Sequence, residues 1–315
     1  MPPLSSVDLV GVGLNATNTL ISLAAFPAPG SKVEYHSQTI LPGGQTASTV
    51  IACQRWGMRT RYVGKLGDDD AGRVHRECFA AAGVEAQIVA AAEAPSAHSL
   101  ILIDGAGERT VLDKRDDRLA LQPAELDREW IVSAGSLHVD GYDTAAATQA
   151  AAWAREAGIP VVADLDELYP GVEGLIDNTD YLIVSRDFPG RLTDEPSLES
   201  ALRKMMRRYG CRLTAATLGE DGVLAWDGNR LLHRSAYRVA VVDTTGAGDI
   251  FHAGFIYGLY RGWPLEQQLD FACAAAALNC KAIGARGNIE SLEAIEELMA
   301  SGARYGAASY IPAEV

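Results

Sequence analysis

The sequence predicts an α/β fold, with a mostly parallel central sheet covered by helices on both faces. Three observations carry that expectation. Short, continuously apolar runs of the kind that form buried strands alternate with alanine-rich helical patterns along most of the chain. The 315 residues are enough to bury roughly 75% of the unfolded surface around one core. No repeat, low-complexity tract or long linker divides them, so residues 1–315 are expected to form one domain.

In chain order, VDLVGVG (7–13), TRYVGKLG (60–67), SLHVDG (136–141), IPVVADL (159–165), TDYLIVS (179–185) and RLTAATLG (212–219) read as strands. TASTVIACQRWG (46–57), AGRVHRECFAAAG (71–83) and TAAATQAAAWAREAG (144–158) read as helices stopped by Gly57, Gly83 and Gly158, since glycine accepts the left-handed backbone that closes a helix. Two stretches break the rhythm. Residues 18–41 carry Pro27, Pro29 and Gly30 near their middle, and in residues 95–116 SLILID and ERTVLD flank GAG as in a β-hairpin. Such inserted β segments are candidates for a lid over a site, with edge decoration as the alternative.

Composition excludes several classes. There are 27 basic and 41 acidic side chains, a net charge of −14, so a polyanion such as nucleic acid is not an expected partner. Arg203, Lys204, Arg207 and Arg208 sit at helical spacing and read as a solvated helix face. Hydrophobic residues make up 48% and charged residues 22%, too apolar for a disordered chain. Five cysteines without a Cys-x-x-Cys pair argue against a disulfide framework or structural zinc and for a reducing cytoplasm. No segment approaches the ~18 uninterrupted apolar residues of a membrane span.

Chemistry concentrates in RVAVVDTTGAGDIFHAGFIYGLYRG (238–262). A β-branched run, read as a strand, leads through Thr244, Thr245, Gly246, Ala247 and Gly248 into a long helix whose first turn carries Asp249. Small residues there let backbone N–H groups converge at a helix N-terminus, where unsatisfied donors and the macrodipole favour an anion. One reading of Asp249 is a helix cap. The other is a general base that takes a proton from an alcohol while the Gly246, Ala247 and Gly248 amides hold charge on a transferred phosphoryl group.

DTTGAGD followed by a helix resembles the second signature of the PfkB, or ribokinase-like, carbohydrate kinases. LPGGQTASTVIACQRWGMRTRYVGKLGDDDAGR (41–73) resembles their N-terminal signature, TLGEDGVLAW (217–226) their ATP-site strand and turn, and AAAALNCKAIGARG (274–287) the helix and loop bordering adenine. The resemblance implies a ribokinase-like fold and an ATP- and Mg²⁺-dependent kinase acting on a hydroxyl of a small sugar. Carried over residue by residue, Asp249 is the base and Gly246, Ala247 and Gly248 the anion hole. Thr217, Gly219, Gly222 and Thr245 then fall at the nucleotide, with Asn279 and Cys280 near adenine. Asn18, Gly43, Gly44, Ser48 and Arg109 fall at the sugar under the lid. Asp243 with the Thr245 backbone matches a monovalent cation site, and K⁺ is the implied ion. A homodimer through the lid is a further expectation.

Three departures from the family pattern bear on substrate. Asn18, with Thr17 beside it, stands where the family usually has a sugar-gripping Asp, which removes a charge-assisted bond. Ser48 stands where an Asn follows the diglycine. The Asn-x-x-Glu motif falls on Ser185, Arg186, Asp187 and Phe188, and lacks its Glu. The loop resembles that of ketohexokinase-like members, which implies a ketohexose or related keto-sugar over ribose, a sugar acid or a nucleoside. Magnesium is then expected to be held mainly by nucleotide and water, helped by Asp164, Asp166 or Asp187. The competing hypothesis is a catalytically weak sugar- or nucleotide-binding protein on the same fold.

Other signals are set aside. GVGLNA (11–16) fits a relaxed dinucleotide fingerprint but lacks the following helix, and VGKLG has Leu66 where a P-loop needs a hydroxyl. Asp68, Asp69 and Asp70 read as a solvated loop, and Cys273 and Cys280 as buried structural thiols. Of the six histidines, His252, one turn beyond Asp249, is the one placed to touch nucleotide.

Overall fold

A computed structural model of the chain describes residues 6–105, 109–114 and 116–306. Its strands are β1 (Leu9–Val12), β2 (Ala16–Leu23), β3 (Tyr35–Gly43), β4 (Thr60–Gly67), β5 (Glu85–Ala91), β6 (His98–Ile103), β7 (Arg109–Lys114), β8 (Leu137–Asp140), β9 (Val161–Leu165), β10 (Tyr181–Ser185), β11 (Leu213–Thr217), β12 (Val223–Trp226) and β13 (Leu231–Arg234). Its helices are α1 (Gln45–Arg55), α2 (Asp70–Ala82), α3 (Arg128–Val132), α4 (Thr144–Glu156), α5 (Val172–Ile176), α6 (Phe188–Thr193), α7 (Leu198–Tyr209), α8 (Ala247–Tyr260), α9 (Leu265–Asn279) and α10 (Leu292–Ser301).

Among the described residues a nine-stranded sheet runs in the order β13-β12-β11-β10-β9-β8-β1-β4-β5. Every pairing from β11 to β5 is parallel, and β12 and β13 add an antiparallel edge. The strands are apolar at consecutive positions because both faces are covered. Val161 and Ala163 of β9 pack with the alanine face of α4, Ala147, Ala150, Ala151 and Ala154. Val162, the residue between them, joins Ile183 and Ala215 against α1, α8 and α9 on the other side. There Trp56, Tyr257, Trp263 and Phe271 meet ring to ring, with the Trp56 and Phe271 centroids 5.6 Å apart. This apolar and aromatic packing anchors the helix that carries Asp249.

The two interrupting stretches form a second sheet, β3-β2-β6-β7, with β2 parallel to β6 and antiparallel hairpins on either side. The expected lid at 18–41 and 95–116 is therefore one four-stranded layer, of which residues 106–108 and 115 lie outside the described residues. Helices α1, α2 and α4 stop where the glycines predict, with Gly83 at φ 77° and the glycines at 57 and 158 at φ 91° and 71°.

One expected strand is absent. RVAVV (238–242) pairs with no strand: the Arg238 N–H donates to the Ala303 carbonyl and that of Val242 to Cys280, while Val241 and Val242 remain exposed. A β-branched run reads as a strand in one dimension, but its backbone donors are taken here by irregular partners. Asp69 also departs from a merely solvated loop. It caps α2 through the Gly72 N–H at 2.8 Å and accepts from the Ser96 N–H and hydroxyl, which ties the entry of β6 to α2. The basic cluster on α7 is paired and partly exposed, as a solvated helix face should be: Arg203 meets Glu199, Lys204 meets Glu195 and Arg208 meets Glu173. All five cysteines are free, and Cys273 and Cys280 are buried. Among the described residues no helix is long and apolar enough to cross a membrane.

Candidate active site

A cleft of about 770 Å³ opens between the lid sheet and the C-terminal ends of the central strands. Helix α8 points its N-terminus into it. Gly246 caps that helix at φ 77°, and a Cβ there would lie 2.3 Å from the Ala285 carbonyl, so only glycine fits. The first intrahelical bond joins Ile250 to Gly246, which leaves the Gly248 and Asp249 amides at the open end of the helix. The Ala247 amide is engaged, at 3.2 Å, by the Thr244 carbonyl. Gly248 has no atom within 4 Å of its would-be Cβ, so the space above it belongs to the cleft.

Asp249 is buried at 9% exposure, and its backbone carbonyl accepts from the Thr49 hydroxyl of α1 at 3.0 Å. Burial pushes its carboxyl up from 3.8 to about 6. The guanidinium groups of Arg109 and Arg286 pull the other way, while Asp166 and Asp140 add to the rise. A base poised there is ionised at neutral pH yet basic enough to take a proton from an alcohol. Asp164 is driven well above the carboxylate range by burial and by Asp249 beside it. It lies 3.3 Å from Nδ1 of His252, and that same nitrogen is 2.8 Å from the Gly248 carbonyl oxygen. Burial lowers His252 to about 4, so a neutral imidazole buttresses the first turn of α8 from within, with Nε2 3.3 Å from the Ile183 carbonyl.

From the lid, Asn18, Ser99, Arg109 and Asp113 line the cleft, and the Ser99 hydroxyl donates to Asp113 at 2.5 Å. Asp113, near enough in sequence to pair with Arg109, thus bonds to Ser99; Glu108, the other carboxylate close to Arg109 in sequence, lies outside the described residues. Gly44 lines the cleft at φ 96° because a Cβ would strike Asn15 Cα at 2.4 Å. Gly43 sits directly behind it against Asn18, whose Nδ2 would be 2.2 Å from an added Cβ. Ser48 does not line the cleft: it is fully buried, and its hydroxyl accepts from Nε of Arg286 at 3.2 Å.

From the β11 side, Thr217, Gly219 and Gly222 line the cleft together with Thr245 and Cys280. Asn279 does not. It is fully buried, and its Nδ2 donates to the Thr245 and Ala285 carbonyls at 3.2 and 3.3 Å, clamping two loops together. Asp243 is also buried behind the cleft, accepting from the Thr245 and Gly284 amides at 2.8 Å each, and the Thr245 hydroxyl has no hydrogen-bond partner among the described residues. The sequence reading missed Arg286, which it had grouped with the adenine loop, and Tyr142 and Tyr169, whose rings meet edge-on at 6.5 Å in the cleft wall. An isolated tyrosine after a strand carries no signal in sequence. Arg286 did carry one, as an arginine set among the small residues Gly284, Ala285 and Gly287.

Three comparisons bear on this arrangement. The model of the pfkB family carbohydrate kinases matches residues 8–292. An aminoimidazole riboside kinase from Salmonella typhimurium is 31% identical over 277 residues, covering 82% of this chain and 86% of that protein. An ATP-dependent ribose-1-phosphate kinase from Halopiger xanaduensis is 30% identical over 267 residues, 82% of this chain and 87% of its own. Among solved structures, that of a putative ribokinase from Agrobacterium tumefaciens superposes with a TM-score of 0.86 at 28% identity, covering 93% and 97% of the two chains. The expected ribokinase-like fold is therefore present, and the family match together with the two named kinases makes the activity that of a phosphotransferase with an alcohol group of a sugar as acceptor. The acceptors in those names differ, so they leave the sugar open. The chain belongs to the pfkB family of carbohydrate kinases.

Proposed function

We propose that the chain is an ATP-dependent kinase that transfers the γ-phosphoryl group to a hydroxyl of a small ketohexose or related keto-sugar, in one α/β domain working in the cytoplasm. The observation that carries this reading is the convergence of the Asp249 carboxylate, the open amides of α8 and the lid residues Asn18 and Arg109 on one cleft. In the proposed mechanism, Asp249 takes the hydroxyl proton, the alkoxide oxygen attacks the γ-phosphorus in line, and the bond to the ADP oxygen breaks. The Gly246 and Gly248 amides, with that of Asp249, hold the charge on the transferring oxygens, while the Ala247 amide, taken by the Thr244 carbonyl, drops out of the expected set. Thr217, Gly219 and Gly222 hold the nucleotide, and Asn18, Gly44 and Arg109 orient the sugar.

Among the described residues no group of three or more His, Cys, Asp or Glu side chains is placed to hold a metal ion. Magnesium is read as arriving on the nucleotide, with Asp164 and Asp166, which line the cleft, near its water shell. Asp187 sits at the start of α6 outside the cleft lining. Potassium fits the loop of Asp243 and the Thr245 carbonyl, where its charge would support the anion hole; the partnerless Thr245 hydroxyl favours that reading. The keto-sugar preference rests on the IVSRD loop and on Asn18 in place of an acid. A homodimer through the lid is supported by Tyr35, Ile40 and Leu112, which leave exposed apolar surface on that sheet.

The test is coupled ADP release with a panel of ketoses, aldoses, sugar acids and nucleosides, run on wild type and Asp249→Asn. A keto-sugar with the highest kcat/KM is the expected result. Turnover no higher than the variant's background with every sugar would overturn the kinase reading in favour of a binding protein.

A further inference from the structure

The loop between α9 and α10 holds both halves of the site at once. On one side, the Gly284 N–H donates to Asp243, whose other oxygen accepts from the Thr245 N–H at the start of the anion-hole turn, both at 2.8 Å. Asn279 bonds the Ala285 and Thr245 carbonyls from below. On the other side, Gly284 lies against Leu41 of β3, whose Cδ1 would be 2.5 Å from an added Cβ. Arg286 then reaches back under the diglycine turn. Its Nη2 donates to the Gly43 carbonyl at 2.6 Å and its Nε to the Ser48 hydroxyl at 3.2 Å, one turn into α1.

Apart from those two Arg286 bonds, the Gly43–Gly44 turn is held by the pairing of Gly43 with Ala16 in the lid sheet and by the Asp140 carboxylate, which accepts from the Thr46 N–H and hydroxyl just inside α1. Gly44 caps α1 without a side-chain cap, and neither glycine has a side chain to pack. A planar guanidinium that grips one backbone carbonyl and one hydroxyl in a fork sets position and orientation together, which a flexible ammonium cannot do. Arg286 does so at a cost, because burial lowers its own pKa to about 10, still charged at neutral pH.

We propose that Arg286 is a positioning residue for the sugar, a strut that holds the diglycine turn against the loop anchoring the anion hole and so aligns the acceptor hydroxyl with Asp249. The proposal rests on the reading above that the diglycine turn contacts the sugar. It assigns Ser48 a part as well, as the strut's anchor on α1.

Arg286→Ala is expected to raise the sugar KM about tenfold and leave the ATP KM within about twofold, because the nucleotide side keeps its own anchors Asp243 and Asn279. Arg286→Lys should fall between the two, keeping charge without the fork. Ser48→Ala should raise the sugar KM less, and the double variant should be no worse than Arg286→Ala alone, since the two groups act as one unit. An unchanged sugar KM in Arg286→Ala, with only a lower Tm, overturns the proposal, as does an equal rise in both KM values. If no sugar turns over in wild type, the reading of the reaction has failed separately, and hydrogen exchange decides on Arg286. Faster exchange over 43–48 in Arg286→Ala, with 213–217 unchanged, supports the strut, and unchanged exchange over 43–48 refutes it.

Discussion

Replacing Asp249 by Asn should make the protein more stable and nearly inactive at the same time. The carboxyl stands at about 6 in the folded chain against 3.8 as its ordinary value, with burial as the leading cause. That displacement corresponds to about 3 kcal/mol of penalty for holding the ionised group in the folded state. The sign follows from proton counting. Between the two values the folded protein binds more protons than the unfolded one, so the wild type loses stability as pH rises from about 4 to about 6 and stays at the reduced level above. Asn carries no charge to desolvate and is nearly isosteric, so the variant escapes the penalty. The pull of Arg109 and Arg286 toward the ionised form is already contained in that net value, so a gain of up to about 3 kcal/mol is expected near neutral pH, or up to roughly 5 °C in Tm.

The assay is chemical or thermal unfolding of both proteins at about pH 4 and about pH 7.5, alongside kcat. The stability gap should be present at the higher pH and close at the lower one. The kcat should fall on the order of 10²–10⁴, the usual worth of a general base, with ATP affinity within a few-fold. Wild-type kcat/KM should fall about tenfold per pH unit below about 6. A gap of the same size at both pH values would refute the argument from burial, and a variant keeping over half its activity would remove Asp249 from the role of base.

Gly248→Val should fold and lose turnover, because nothing lies within 4 Å of the added Cβ and the side chain projects into the cleft; insoluble protein would make the glycine structural only. Arg109→Ala and Asn18→Ala should each raise the sugar KM by roughly tenfold, about 1.4 kcal/mol, with little change in the ATP KM, and wild-type sugar KM in both would remove the lid from the sugar site. If potassium occupies the Asp243 loop, replacing it by lithium should lower kcat in wild type and not in Asp243→Ala, and equal loss in both would place the ion elsewhere.

What the sequence disclosed and what it withheld follow from the range of the forces involved. Strands such as IPVVADL and helices such as TAAATQAAAWAREAG are written in local periodicity, so they fell where expected, as did the glycine stops. The edge strand β5 was passed over because EAQIVAA is half-buried and its apolar run, Ile88 to Ala91, is half alanine, so it reads as readily as helix. RVAVV failed in the opposite sense, having the composition of a strand while its Arg238 and Val242 donors go to the Ala303 and Cys280 carbonyls. Site residues divide in the same way. Asp249 and the anion-hole glycines are neighbours in sequence, so their chemistry shows in one stretch, whereas Arg286 meets Gly43 across 243 positions of chain. Ser48 and Asn279 look like ligand contacts in one dimension because small polar residues flank a glycine turn and a helix end. In three dimensions the side-chain hydrogen bonds of these two residues tie α1 and α9 to the neighbouring loops, behind the cleft and not in it. A motif can therefore name the atoms that react, while the residues that fix the distance between acceptor and base become legible only once the chain has folded.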